Sequence, residues 1–223
     1  MLSAFDMKTN HMKKLILSSI FILFTCQALF SQELEGQQVT LHAITSVTGN
    51  KFLLKTICYK DSIMIKFKMK DSVSLNKLKK DSVYKTLMKS FHQVKQFDTK
   101  HDTIKNLLKR IDSVTVLYTT YNSDSVQIAY SQFSDYSKLL RQLFKSSKIE
   151  LENSKNIKNR IILDGTNMTF EFSHNELIQF SARAHSPDKE SHPLLYDYIT
   201  STLDIYRGIR KNTFLTKEKT SGY

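Results

Sequence analysis

Glycine is scarce in this 223-residue chain, with five in all, cysteine scarcer still with two, and tryptophan is absent. Gly49 and Gly165 fall in expected turns, Gly208 at the expected end of a helix, and Gly36 and Gly222 near the ends of the mature chain. None remains for a loop that brings backbone N–H groups close to a phosphate, so the G-x-G-x-x-G and Walker patterns are excluded. H-E-x-x-H, C-x-x-C and G-x-S-x-G are missing too. Ser-x-x-Lys recurs at Ser74–Lys77, Ser82–Lys85 and Ser186–Lys189, but chance supplies that spacing in a chain rich in both residues, and its Lys-Thr-Gly companion is absent. No cofactor is expected.

Long apolar runs are also lacking. The longest, Leu15 to Phe24, is shorter than the ~20 residues a membrane span needs. It follows the basic Met12-Lys13-Lys14 and leads to a small-residue exit at Ser31, the order of a secretory signal. Residues 1–11 then read as a spurious extension, with Met12 the true start among Met1, Met7 and Met12. Residues 12–31 are the signal peptide, cut between Ser31 and Gln32, residues 32–214 a single domain, and 215–223 a flexible basic tail. The same residues leave open an uncleaved anchor, or a lipidated Cys26, since Leu23-Phe24-Thr25-Cys26 resembles a bacterial lipobox. Those alternatives are the only membrane association expected. The location is therefore exported: periplasmic, cell-envelope or extracellular. Beyond Ser31 only Cys58 is left, so no internal disulfide forms, and its strand-like setting makes it a small buried hydrophobe.

The chain carries 33 basic and 21 acidic side chains, net +12. Losing Lys8, Lys13, Lys14 and Asp6 with the signal leaves 30 against 20, or +10. That excess favours anionic partners. Along the sequence, however, the lysines are scattered among aspartates, and export argues against nucleic acid.

The pattern predicts an α+β fold with a mainly antiparallel sheet, built from meanders and hairpins (βββα-α, ββα, βββα), with helices packed on one side. Residues 39–47, 51–60 and 63–69 form the first meander, the last with Ile63, Ile65, Phe67 and Met69 on one face. Helices start at Asp81 or Ser82 and near Asp102. The middle unit is a strand at 114–121, a turn at Asn122-Ser123-Asp124, a strand from Val126 and a helix over 134–146; a helix over 125–146 ranks second. The third unit is a strand at 160–163, a hairpin turn at Asp164-Gly165-Thr166-Asn167, a strand with Met168, Phe170 and Phe172 on one face, and a strand with Ile178, Phe180 and Ala182 on one face. Pro193 opens a final helix, which Gly208 caps.

Ligand-type residues gather once, in 184–192, where His185, Asp188, Glu190 and His192 offer a metal two nitrogens and two carboxylates. The competing reading is a Ser-Pro turn entering a helix, where acidic and capping residues are expected anyway, and it takes precedence, so no metal is expected. Asp-Ser/Thr-aliphatic recurs at Ser62, Ser72, Ser82, Thr103, Ser113 and Ser125. It resembles a periplasmic O-glycosylation acceptor motif of one group of Gram-negative bacteria, although turns and N-caps favour the same residues. Tyr196, Tyr198 and Tyr206 at helical spacing read as core and boundary residues rather than as a binding face.

The opening MKKLILSSIFILF…FSQ and the later LDGTNMTFEFS…AHSPDKESHPLLYDYITSTLDIYR resemble small exported envelope proteins of Gram-negative bacteria that have no assigned activity. The resemblance implies export and an α+β domain, and carries over no catalytic residue. The expected function is non-enzymatic binding of an envelope protein or glycan. The alternative is a hydrolase or metal-dependent enzyme centred on 185–192.

Overall fold

A computed structural model of the chain describes residues 33–45, 49–96, 101–153 and 165–223. It is an α+β fold. The strands β1 (Gln37–Thr45), β2 (Lys51–Cys58), β3 (Ser62–Val73), β4 (Thr119–Ala129), β5 (Thr166–His174) and β6 (Leu177–His185) form one antiparallel sheet in the order β4-β3-β2-β1-β5-β6. The helices are α1 (Leu75–Leu78), α2 (Ser82–Gln96), α3 (His101–Leu117), α4 (Ser134–Lys145), α5 (Lys148–Glu152) and α6 (Pro193–Ile209).

Alternation along the strands sends Val39, Leu41, Phe52, Leu54, Ile63, Ile65, Phe67, Phe170 and Phe172 to one face, all buried. On that face lie α4 and α6, the latter contributing Leu195, Tyr198, Ile199, Leu203 and Tyr206 to the core. Tyr206 stacks on Phe67 with centroids 4.0 Å apart, and Phe144 meets Phe172 edge-on at 6.0 Å. Tyrosines buried this deeply need hydrogen-bond partners. Thr56, on β2, lies 3.0 Å from the Tyr198 hydroxyl and 3.3 Å from that of Tyr136, while the Thr202 hydroxyl is 2.8 Å from Tyr136. One hydroxyl chain thus ties β2, α4 and α6 together.

The middle unit departs from expectation. Residues 114–117 continue α3 instead of forming a strand, with Ser113 and Thr115 hydroxyls donating to the carbonyls of Lys109 and Ile111. The expected turn at 122–124 lies inside β4, paired with Met69, Lys68 and Phe67. No glycine is present to turn the chain there. Asn122 donates to Asp71, and Asp124 accepts from Arg210 and Tyr206, so the polar trio is held in the strand. The α2–α3 pair is closed by Asp81, which accepts from the Tyr84 N–H as an N-cap and from the Tyr118 hydroxyl.

Other boundaries also differ. Thr166 and Asn167 belong to β5, paired with Thr45 and Ile44, and the expected strand at 160–163 lies outside the described residues. Gly165 does not have positive φ; its role is close approach, since a Cβ there would lie 2.6 Å from the His185 ring. Gly208 sits inside α6, which runs to Ile209. Ile178 does not share the face of Phe180: a bulge pairs Phe172 with Phe180 but Ser173 with Ile178, leaving Ile178 exposed. The expected basic tail is packed. Leu215 and Tyr223 are buried, Arg207 donates to the Leu215 carbonyl and to Thr220, and the Tyr223 hydroxyl donates to the Pro187 carbonyl at 2.7 Å.

Both sheet edges carry a side-chain guard. Arg210 donates to the Ser125 carbonyl on β4, and Glu152 accepts from the Arg183 N–H on β6, which blunts two sites for strand addition. The β5–β6 hairpin turns through Asn175 and Glu176, both at positive φ, 46° and 69°. Glu176 is exposed and would yield this conformation to glycine without strain. Glu176→Gly should therefore raise stability by about 0.5–1 kcal/mol, read as a denaturation midpoint; a fall would contradict the assigned turn.

Cys58 is 1% exposed. Burial pushes its thiol up to about 12, against a smaller opposing hydrogen bond with Tyr130. A thiol reagent at about pH 8 should leave it unmodified in the native protein and label it fully in denaturant. Fast native labelling would contradict its place in the core.

Candidate functional site: the open face of the sheet

The second face of the sheet is opposite α4 and α6; among the described residues it is open around β3, whereas Gln38 and Ile57 on it are buried and α3 reaches its margin at Lys51. Register places Lys66, Lys68 and Lys70 of β3 on it, with Lys55 of β2 directly opposite Lys66. Thr40 of β1 stands opposite Lys55 and Glu171, His42 opposite Leu53 and Thr169, and Arg183 of β6 opposite Thr169. At the other margin, Ser125 and Ser123 of β4 stand opposite Lys66 and Lys68. Residues two apart on a strand are about 7 Å apart, and directly opposed Cβ atoms about 5 Å. Lysines that look scattered in sequence are therefore gathered in space.

Lys66, Lys68 and Arg183 are exposed, whereas Lys55 and Lys70 are half-buried among their neighbours. Two basic side chains of this face lie beside described carboxylates: Lys51 reaches Asp112 of α3 at 3.4 Å, and the His42 imidazole lies 3.6 Å from Glu171. Lys68 sits over the Tyr121 ring, 4.2 Å from its centroid. Among the described residues no carboxylate pairs with Lys55, Lys66, Lys68 or Lys70.

Like charges directly opposed across a ladder destabilise a sheet. The Lys55–Lys66 pair is thus a feature folding alone does not explain. Lys66→Thr should raise stability by a few tenths to about 1 kcal/mol, read by thermal unfolding. A loss of stability would show that the lysine is structural.

The 184–192 loop is a different kind of place. His185, exposed at the end of β6, pairs its Nδ1 with Asn167 Oδ1 at 3.0 Å. Asp188 Oδ1 accepts from the N–H groups of Glu190 and Ser191 at 3.0 and 2.7 Å, a side-chain cap of a turn. His192 is buried, its Nδ1 3.1 Å from Ser191 Oγ, directly before Pro193 opens α6. The four candidate ligands are not brought together: among the described residues no group of three or more His, Cys, Asp or Glu is placed to hold a metal.

Of the six motif hydroxyls, Ser72, Ser82, Thr103, Ser113 and Ser125 are exposed and Ser62 is half-buried. Ser82 and Thr103 occupy the first turns of α2 and α3, but Ser62, Ser72 and Ser125 lie in strands and Ser113 within α3, not in turns. Tyr198 and Tyr206 are core residues, as expected. Cys26, Ser31 and Gln32 lie outside the described residues.

One groove opens on the opposite side, about 610 Å³ between the start of α4 and the end of α6, with Phe133, Ile205 and Ile209 beside Asp135 and Asp204. Its carboxylates are paired in place, Asp135 with Lys138 and Asp204 with Arg207. Among the described residues no helix is long and apolar enough to cross a membrane. Searched against protein-family models, curated proteins and solved structures, the chain matches none.

Proposed function

We propose that this chain is an exported, non-enzymatic envelope protein that binds its partner through the open face of its sheet. The observation that supports this reading is the set of lysines on that face, two of them directly opposed, without described carboxylate partners. A face of one charge sign attracts an anionic partner and speeds its encounter. Export rests on the signal-like residues 12–31. For the enzyme alternative the four residues stand apart: the Asp188 carboxylate caps a turn, while His192, beside Ser191, lines a separate pocket of about 390 Å³ with Glu150.

Envelope fractionation tests it. The protein should sediment with the envelope at about 0.05 M salt and leave it at about 0.5 M, where screening shortens to a few ångströms. The Lys66→Glu, Lys68→Glu double variant should stay in the soluble fraction at both. Equal retention of the variant sinks the sheet-face reading. The intact mass of the recovered protein should correspond to a start at Gln32; recovery from the cytoplasm with residues 12–31 attached sinks the exported one.

A further inference from the structure

We infer that the partner taken by the open sheet face is an acidic polysaccharide, a linear chain of sugars bearing carboxylate, sulfate or phosphate groups. This rests on the preceding reading of that face as the binding face. It adds the class of ligand and the manner of its seating.

Lys66, Lys68 and Lys70 leave one face of β3 in a line with about 7 Å between successive residues. Lys55 and Lys51 flank that line on β2, and Arg183 lies further across on β6. A line of cations fits a polymer with recurring anions better than it fits a single small anion, which would be held by convergent groups in a concave site. Lysine is also a point charge on a flexible stem, suited to anions whose position varies from unit to unit, whereas arginine enforces paired geometry.

Polar groups lie between and beside the cations. Ser123 and Ser125 border the lysine line on β4, Thr40 and His42 lie across β2, and Gln127 stands opposite Met64. Hydroxyl, amide and imidazole groups exchange hydrogen bonds with sugar hydroxyls.

Among the described residues this face does not have the features that other polyanion or protein partners use. Single-stranded nucleic acid is bound on exposed aromatic platforms. The aromatic ring beside this lysine line, Tyr121, is already covered by Lys68 at 4.2 Å. Protein interfaces centre on aromatic and arginine anchors with lysine depleted, the reverse of what is found here. Membrane attachment combines basic residues with an inserted, contiguous apolar face; here the exposed apolar residues, Ile44 and Ile178, stand apart on β1 and β6, and Leu53 and Met64 beside the lysines are half-buried.

The test uses the purified protein with heparin, alginate and neutral dextran as polysaccharide probes. Vesicles with anionic headgroups and a single-stranded oligonucleotide, both matched in charge, serve as competitors. Heparin or alginate should bind, dextran should not, and both competitors should bind at least tenfold more weakly. Lys66→Glu with Lys68→Glu should weaken polysaccharide binding by at least thirty-fold, on the scale of about 1 kcal/mol per cation near an anionic surface and 1.4 kcal/mol per factor of ten. Lys217→Glu with Lys219→Glu, a reversal of equal charge off the sheet, should change it less than threefold. Equal losses for the two double variants would overturn the site in favour of net charge. Vesicle or oligonucleotide binding as tight as polysaccharide binding would overturn the ligand class but leave the face as the binding face. No binding to any polyanion, with salt-sensitive envelope retention intact, would overturn the polysaccharide alone. Loss of that retention effect as well would overturn both readings.

Discussion

Tyr198→Ala should cost about 3–5 kcal/mol, the largest loss expected from any single substitution in this molecule. Tyr198 is fully buried, its ring 6.3 Å edge-on from Phe170 and its hydroxyl 3.0 Å from Thr56. Removing the ring opens a cavity between α6 and the centre of the sheet. Removing only the oxygen is milder. Tyr198→Phe should cost about 1–2 kcal/mol, because Thr56 keeps the Tyr136 hydroxyl at 3.3 Å. The midpoint of urea unfolding gives both values, with an unchanged slope as the sign that the unfolded state is unaffected. If the two variants were equally stable, the contribution would lie in the hydroxyl chain and not in packing.

Deleting residues 215–223 should cost about 3–6 kcal/mol, on the scale of burying one leucine and one tyrosine. Leu215 is fully buried and Tyr223 nearly so. The deletion also removes the Leu215 carbonyl and the Thr220 hydroxyl from the Arg207 guanidinium, whose charged form partial burial already disfavours. The Tyr223 hydroxyl no longer holds Pro187. Thermal unfolding should fall by roughly 10 °C for a domain of this size. An unchanged transition would mean that these residues are frayed, as their composition alone implies.

What could be read in advance follows the local strength of each signal. The β1–β2–β3 meander was legible because period-2 alternation puts Ile63, Ile65, Phe67 and Met69 on one face, the buried one, and Gly49 turns the chain between β1 and β2 at positive φ. The face of α6 was legible for the same reason, its apolar residues recurring at helical spacing. The middle unit was not. Val114 and Val116 favour a strand by propensity, yet they extend α3; Asn122-Ser123-Asp124 favours a turn, yet a twelve-residue β3 offers β4 a full partner. Tertiary pairing overrode local preference. Ile178 was misplaced because one extra residue at a bulge reverses every side chain beyond it.

The site was half legible. Alternating Lys66 and Lys68 mark the solvent side of a strand. Placing Lys55 opposite Lys66 requires the register, which the Tyr59–Ser62 backbone hydrogen bond at the turn fixes. Counting back from that turn was the signal available. His185, Asp188, Glu190 and His192 misled in the opposite direction, because closeness in sequence was not convergence in space: His185 turns to Asn167 of β5, Asp188 caps its own turn, and His192 meets Ser191.

The most direct test of the account is lysine footprinting of the native protein by amine acetylation, with and without the polysaccharide fraction of its own envelope. Protection should concentrate at Lys55, Lys66, Lys68 and Lys70, with Lys138 beside the α4–α6 groove and Lys217 and Lys219 in the terminal segment modified as before. Protection at Lys138, Lys217 and Lys219 with the sheet lysines unchanged would contradict it, and would move the binding surface to the helical side.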